Sequence, residues 1–217
     1  MEGWSQFRAL VARDFLLTLR GASEIVASIV FAVMTSSVAG YMSSLYAYSL
    51  PEQALAVTAT LAAVLVFEAT FLSAYGYARE AAIGVLDVLR SQPLSALLLF
   101  AARTVYYAVM LFSIALVTVA ATSILGGLEA ELVKALIASM AGLALYLAPV
   151  AGVASAISIH TGASPVIPPS VIVVLSAPAL QITVTSTLTG SFKPVLLAVV
   201  AAVGFSLIAA VLADEIL

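Results

Sequence analysis

The stretch Ala135–Phe192, ALIASMAGLALYLAPVAGVASAISIHTGASPVIPPSVIVVLSAPALQITVTSTLTGSF, runs for 58 residues without one Asp, Glu, Lys or Arg. A helix that crosses a bilayer takes about 20 apolar residues, so this run holds two of them. The composition of His160-Thr-Gly-Ala-Ser-Pro165 marks a turn between the two. The same pattern continues outward. Ile25–Pro51, Thr104–Leu128 and Pro194–Ala213 are also free of the four charged types. Of the 217 residues 64% are hydrophobic and 9% charged, whereas a soluble domain is about one quarter charged. The chain therefore reads as a single-domain, all-α integral membrane protein with six transmembrane helices.

The spans read as 24–48, 54–78, 95–125, 133–157, 165–187 and 194–213. Tyr41, Tyr46 and Tyr48 form an aromatic belt at the far end of the first, and Pro51-Glu52 turns the chain. Pro149 and Gly152 predict a kink in span 4, and Pro165, Pro168, Pro169 and Pro178 predict a broken or bent span 5. Small residues in spans 4 and 6 (Ala148, Gly152, Ala156; Ala202, Gly204, Ala209) permit close helix approach. Ahead of span 1, residues 4–20 read as an amphipathic interfacial helix. Trp4, Phe7, Leu10, Val11 and Phe15 share one face, Gln6, Arg13 and Arg20 lie opposite, and Arg8 and Asp14 sit at the margins. Six spans put both termini on one side. Arg8, Arg13, Arg20, Arg79, Arg90 and Arg103 cluster on that side, against Lys134 and Lys193 on the other. The excess of basic residues assigns the first side to the cytoplasm of a cell membrane.

Between spans 2 and 3 lies Arg79–Leu94, where Arg79, Glu80, Asp87 and Arg90 crowd between nearly uncharged runs. Ala82, Val85, Leu86 and Leu89 fall on one helical face and Glu80, Gly84, Asp87 and Ser91 on another. Gln92-Pro93 ends the pattern. The spacing predicts a short cytoplasmic helix that touches something outside the membrane.

The chain has no G-x-x-x-x-G-K-[ST] phosphate loop, so ATP-driven work would need another subunit. With no cysteine, it has no thiolate metal site and no disulfide, and nothing basic enough for nucleic acid. Glu68 is the one ionisable residue well inside a span. It reads either as part of a substrate path or gate, or as a carboxyl group fixing helix packing through a neighbouring Ser, Thr or Tyr. His160, the sole histidine, reads as a loop residue, with haem ligation as the alternative.

Arg13-Asp14-Phe-Leu-Leu-Thr-Leu-Arg20 with Glu24 resembles the opening of the cytochrome c maturation protein B (CcmB) family, the haem-exporter permease branch of the ABC-2-like membrane proteins. Glu80, Gly84, Leu86, Asp87, Leu89, Arg90, Ser91 and Pro93 resemble that family's segment between spans 2 and 3, and the prolines of span 5 its proline-rich fifth span. Val85 departs from the family's usual Thr or Ser, and Arg103 stands where a Lys is common. The resemblance implies a permease subunit without enzymatic activity of its own, paired with a CcmA-like cytoplasmic ATPase and a CcmC-like haem-handling membrane protein. ATP would act through the ATPase, haem would be the handled ligand, and two permease copies or a homologous pair would face two ATPases. Arg79, Glu80, Gly84, Leu86, Asp87, Leu89, Arg90 and Pro93 would then couple to the ATPase. The alternatives are an ABC-2 exporter permease for a lipid, glycan or drug, and a non-transporting scaffold that relays ATPase motion.

Overall fold

A computed structural model describes residues 2–47, 49–85, 96–160, 167–190, 196, 199–200, 202–204 and 206–207. Among them the elements are α1 (Glu2–Arg20), α2 (Ala22–Tyr46), α3 (Leu50–Ala82), α4 (Ala96–Gly126), α5 (Ala130–His160) and α6 (Ile167–Thr189). All but α1 contain a stretch long and apolar enough to cross a membrane, which makes this a multi-pass membrane protein. The described residues between 196 and 207 are helical. The expected sixth span, 194–213, lies largely outside the described residues.

Local chemistry sets the helix ends. The Gly21 N–H bonds the Thr18 carbonyl at 3.0 Å where α1 gives way to α2. Ser49 caps α3: its carbonyl accepts from the Gln53 N–H at 3.0 Å and its hydroxyl oxygen from the Glu52 N–H at 3.4 Å. Pro51 and Glu52 therefore belong to the first turn of α3, where a missing N–H costs nothing and a carboxylate suits the helix dipole. They are not the turn that their sequence suggests. At the end of α4, Gly127 takes φ +58° and the Leu128 N–H reaches back to the Ser123 carbonyl at 3.3 Å, a Schellman closure.

The innermost elements are α3 and α5. Leu61 and Leu65 of the first, and Leu136, Met140, Leu143 and Leu147 of the second, have no exposed surface. Helix α5 packs on α3, α4 and α6, while α2 packs on α3 and α4, and α1 lies along α4. The outer helices turn large apolar side chains outward, such as Ile124 (80% exposed) and Val174 (70% exposed). So much exposed apolar surface suits lipid and not water.

Close approach is greatest between α2 and α4. The Thr122 hydroxyl donates to the Ser36 carbonyl at 3.0 Å, and a Cβ on Gly40 would lie 2.6 Å from the Thr122 carbonyl oxygen. Gly126 meets Gly40 one turn further on. The pairs advance together, so the two helices run parallel. Gly152 of α5 faces the ring of Phe100, and Ala148 is fully buried, whereas no described residue lies within 4 Å of a Cβ on Gly204.

Three further expectations change. Helix α6 starts at Ile167 with Pro168 and Pro169 in its first turn and continues through Pro178, so those two prolines begin a helix without breaking one. His160 ends α5 and does not sit in a turn. Helix α3 runs unbroken to Ala82, and Gly84 then takes φ +72°. Glu80 and Gly84 thus do not lie in one separate short helix beginning at Arg79, and Asp87 and Ser91 lie outside the described residues. Glu80 belongs to the end of the span-2 helix, and Gly84 lies in a turn just past that end.

Candidate functional site: a buried ion-pair joint

At 33 residues, α3 is about 50 Å long, well over the roughly 30 Å apolar core of a bilayer. Its apolar span ends at Tyr75, so Glu80 stands more than a turn beyond it. Despite that position, Glu80 is only 7% exposed. Its carboxylate takes an ion pair from Arg103 of α4 through one oxygen, and from Arg13 of α1 at 3.5 Å through the other. Arg103 also donates from Nη1 to the Ser155 hydroxyl of α5 at 2.8 Å. Arg13 bends back onto Asp14, Nη2 to Oδ1 at 2.6 Å and Nε to Oδ1 at 3.0 Å. Two guanidinium groups and two carboxylates therefore join α1, α3, α4 and α5 in a charge-balanced cluster.

Neutral contacts reinforce the cluster. Thr18 and Tyr106 share a hydroxyl–hydroxyl bond at 2.5 Å, and Phe15 packs edge-on against the Tyr106 ring with centroids 5.1 Å apart. Leu10, 7% exposed, supplies the apolar part of the same α1 face. The outward positions of α1 include Trp4, Arg8, Leu16, Leu19 and Arg20. The sequence placed Arg13 on the outer polar face and Asp14 at a margin; the structure turns both inward. Helical periodicity could not show this, because the partner that draws Arg13 inward lies 67 positions away.

Ions buried in this way are costly to desolvate unless paired, and breaking such a pair costs more than the pair is worth. The cluster is thus strongly committed to one geometry. Chemically it is a joint. It fixes the end of α3, just before the turn at Gly84, to the helix ahead of the first span and to two further spans.

Glu68 has no exposed surface and accepts a hydrogen bond from the Ser28 hydroxyl of α2 through Oε2, while its Oε1 has no partner among the described residues. Of its two readings, the contact is the one expected for a carboxyl group that fixes helix packing. Phe31 and Phe67 meet beside it with centroids 5.0 Å apart.

The remaining predicted residues fall as follows. Arg79 lies in the last turn of α3 and Gly84 in the turn just past it. Leu86, Asp87, Leu89, Arg90 and Pro93 lie outside the described residues. His160 ends α5, five residues past Ser155. Among the described residues, no three of His, Cys, Asp and Glu come together as a metal site. Sequence reading missed Asp14 and Ser155 as site residues, and it offered a Ser, Thr or Tyr partner for Glu68 without identifying Ser28. Of the four charged residues only Arg103 directly adjoins a long uncharged run, 104–128. Glu24 and Arg20 stand between Arg13-Asp14 and the run at 25–51, and Arg79 stands between Glu80 and the run before it. No family model, curated protein or solved structure matches this chain.

Proposed function

We propose that this chain is the membrane permease subunit of an ABC-type complex, in which a separate cytoplasmic ATPase drives the bundle through Arg79–Leu94. The observation that carries this reading is the joint at Glu80. A push on the segment after Gly84 meets α3 where it is ion-paired to α1 and α4, and Arg103 extends the connection to α5. A small displacement there biases several spans at once, as two-state switching requires. In this reading both termini are cytoplasmic and residues 194–213 supply a sixth span. Helix α1 lies along the inner leaflet, and two permease copies or a homologous pair face two ATPases.

The cargo reading rests on the sequence resemblance to the CcmB family. The complex would use ATP to support haem delivery, or release of a haem-loaded chaperone, beside a CcmC-like protein. Haem would be handled cargo and not a resident group of this chain. A second reading, export of a lipid, is favoured by an apolar cavity of about 180 Å³ between α2 and α4, lined by Ile29, Ala32, Val33, Met110, Ile114 and Val117 among others.

Co-purification with the CcmA-like ATPase tests the drive. Asp87→Lys and Arg90→Glu should each abolish it while membrane insertion stays intact. Unchanged co-purification contradicts the docking role.

A further inference from the structure

Helix α1 turns one face to the bundle and leaves another uncovered. Leu10, Asp14, Phe15 and Thr18 are taken up by the joint and by α4. The uncovered face carries Trp4 (67% exposed), Leu16 and Leu19 (69% exposed), with Arg8 and Arg20 also exposed. In helical projection the two arginines stand at either margin of the stripe that Leu16 and Leu19 form. Leu10 and Phe15, from the apolar face marked by the sequence, meet the bundle, so this stripe is a second and separate one. Charge divides in the same way. Arg13 is held by Asp14 and Glu80, whereas neither Arg8 nor Arg20 has an ion-pair partner among the described residues. Gly21 alone separates α1 from α2, whose apolar span starts at Ile25. Glu80 links Arg13 to Arg103, the last charge before the uncharged run of α4. Helix α1 therefore lies where the spans enter the apolar slab, at the depth of lipid headgroups.

We propose that this face of α1 docks on anionic phospholipid, with Leu16, Leu19 and the Trp4 ring in the acyl boundary and the Arg8 and Arg20 guanidinium groups on phosphate oxygens. Arginine suits both parts of the task. Its stem lies along apolar surface while its head reaches outward, and its planar fork matches phosphate. Positive charge left unpaired selects anionic over zwitterionic lipid, by about fivefold for each basic residue. A second copy of the chain is a poorer occupant, because a two-fold contact of this face with itself would set one positive surface against another. The proposal rests on the reading of α1 along the inner leaflet and is independent of the ATPase.

Trp4 is the only tryptophan of the chain and stacks on Phe7 with centroids 5.6 Å apart, so its fluorescence reports on α1 alone. The test uses the full chain in vesicles of phosphatidylcholine and phosphatidylglycerol at one fixed ratio, with acyl-chain bromine on either lipid. Quenching of Trp4 by each then gives the relative association constant of the two lipids. The wild type should favour phosphatidylglycerol about fivefold or more. Arg8→Gln combined with Arg20→Gln should bring the ratio close to one, and Lys134→Gln, on the exposed start of α5, should leave it unchanged. Equal quenching from the two lipids in the wild type would overturn the anionic partner while leaving α1 in the leaflet. A preference that persists in the double variant would overturn the role of the arginines. No quenching from either lipid would mean that protein covers this face, and would overturn the leaflet reading as well. If the double variant does not insert, the wild type at low and high salt decides. A preference that falls with salt supports the docking, and one that does not change rejects it.

Discussion

Glu80 holds two arginines from two other helices, and this unequal sharing makes it the most sensitive residue of the joint. Glu80→Ala leaves Arg103 buried without a counter-ion and should cost about 3–5 kcal/mol of stability. Adding Arg103→Ala removes the stranded charge, so the double variant should be less destabilised than the sum of the single ones. Thermal melts of the four proteins in one detergent measure this, and strict additivity would show that the two side chains are independent. The Ser28–Glu68 contact is a smaller matter. Hydrogen bonds between membrane helices average about 0.6 kcal/mol and reach about 1.7 kcal/mol, so Ser28→Ala should lie within that range in the same melts. A loss of several kcal/mol would mean that Glu68 depends on Ser28 for more than packing.

The α2–α4 contact makes its own prediction at the scale of elements. At Gly40 a Cβ would sit 2.6 Å from a backbone oxygen, which cannot rotate away. Gly40→Ala should therefore separate the helices at a cost of about 1–3 kcal/mol. Gly204→Ala, which meets nothing within 4 Å, should be close to neutral, and equal melting temperatures for the two variants would refute the contact. Helix existence was legible in the sequence, because uncharged runs of spanning length leave little alternative. The end of α4 at Gly126 is set by Gly127, whose positive φ closes the helix. Helix pairing was not legible. Gly40 and Thr122 look like any small residues until the bundle sets them face to face. The same holds for Arg13, whose inward turn depends on a carboxylate supplied by another helix. The prolines misled for a related reason: Pro168 and Pro169 break a helix only when something helical precedes them, and the described part of α6 begins at Ile167.

Across the whole molecule, the parallel course of α2 and α4 and the returns between them place Lys134 on the membrane side opposite α1. Since the chain has no cysteine, single cysteines can be introduced without background. Arg8→Cys and Lys134→Cys should react with a membrane-impermeant maleimide from opposite faces, Lys134→Cys from outside the cell. Labelling of both from one face would contradict an odd number of crossings between them. In the proposed function, motion enters the bundle through the segment after Gly84. The most direct measurement is cross-linking in native membranes from Asp87→Cys and Arg90→Cys, with mass-spectrometric identification of the partner. The account predicts a cross-link to a P-loop ATPase from both positions, altered by nucleotide, and none from Lys134→Cys. No ATPase adduct from either position, in membranes where that ATPase is present and the variants are inserted, would contradict it.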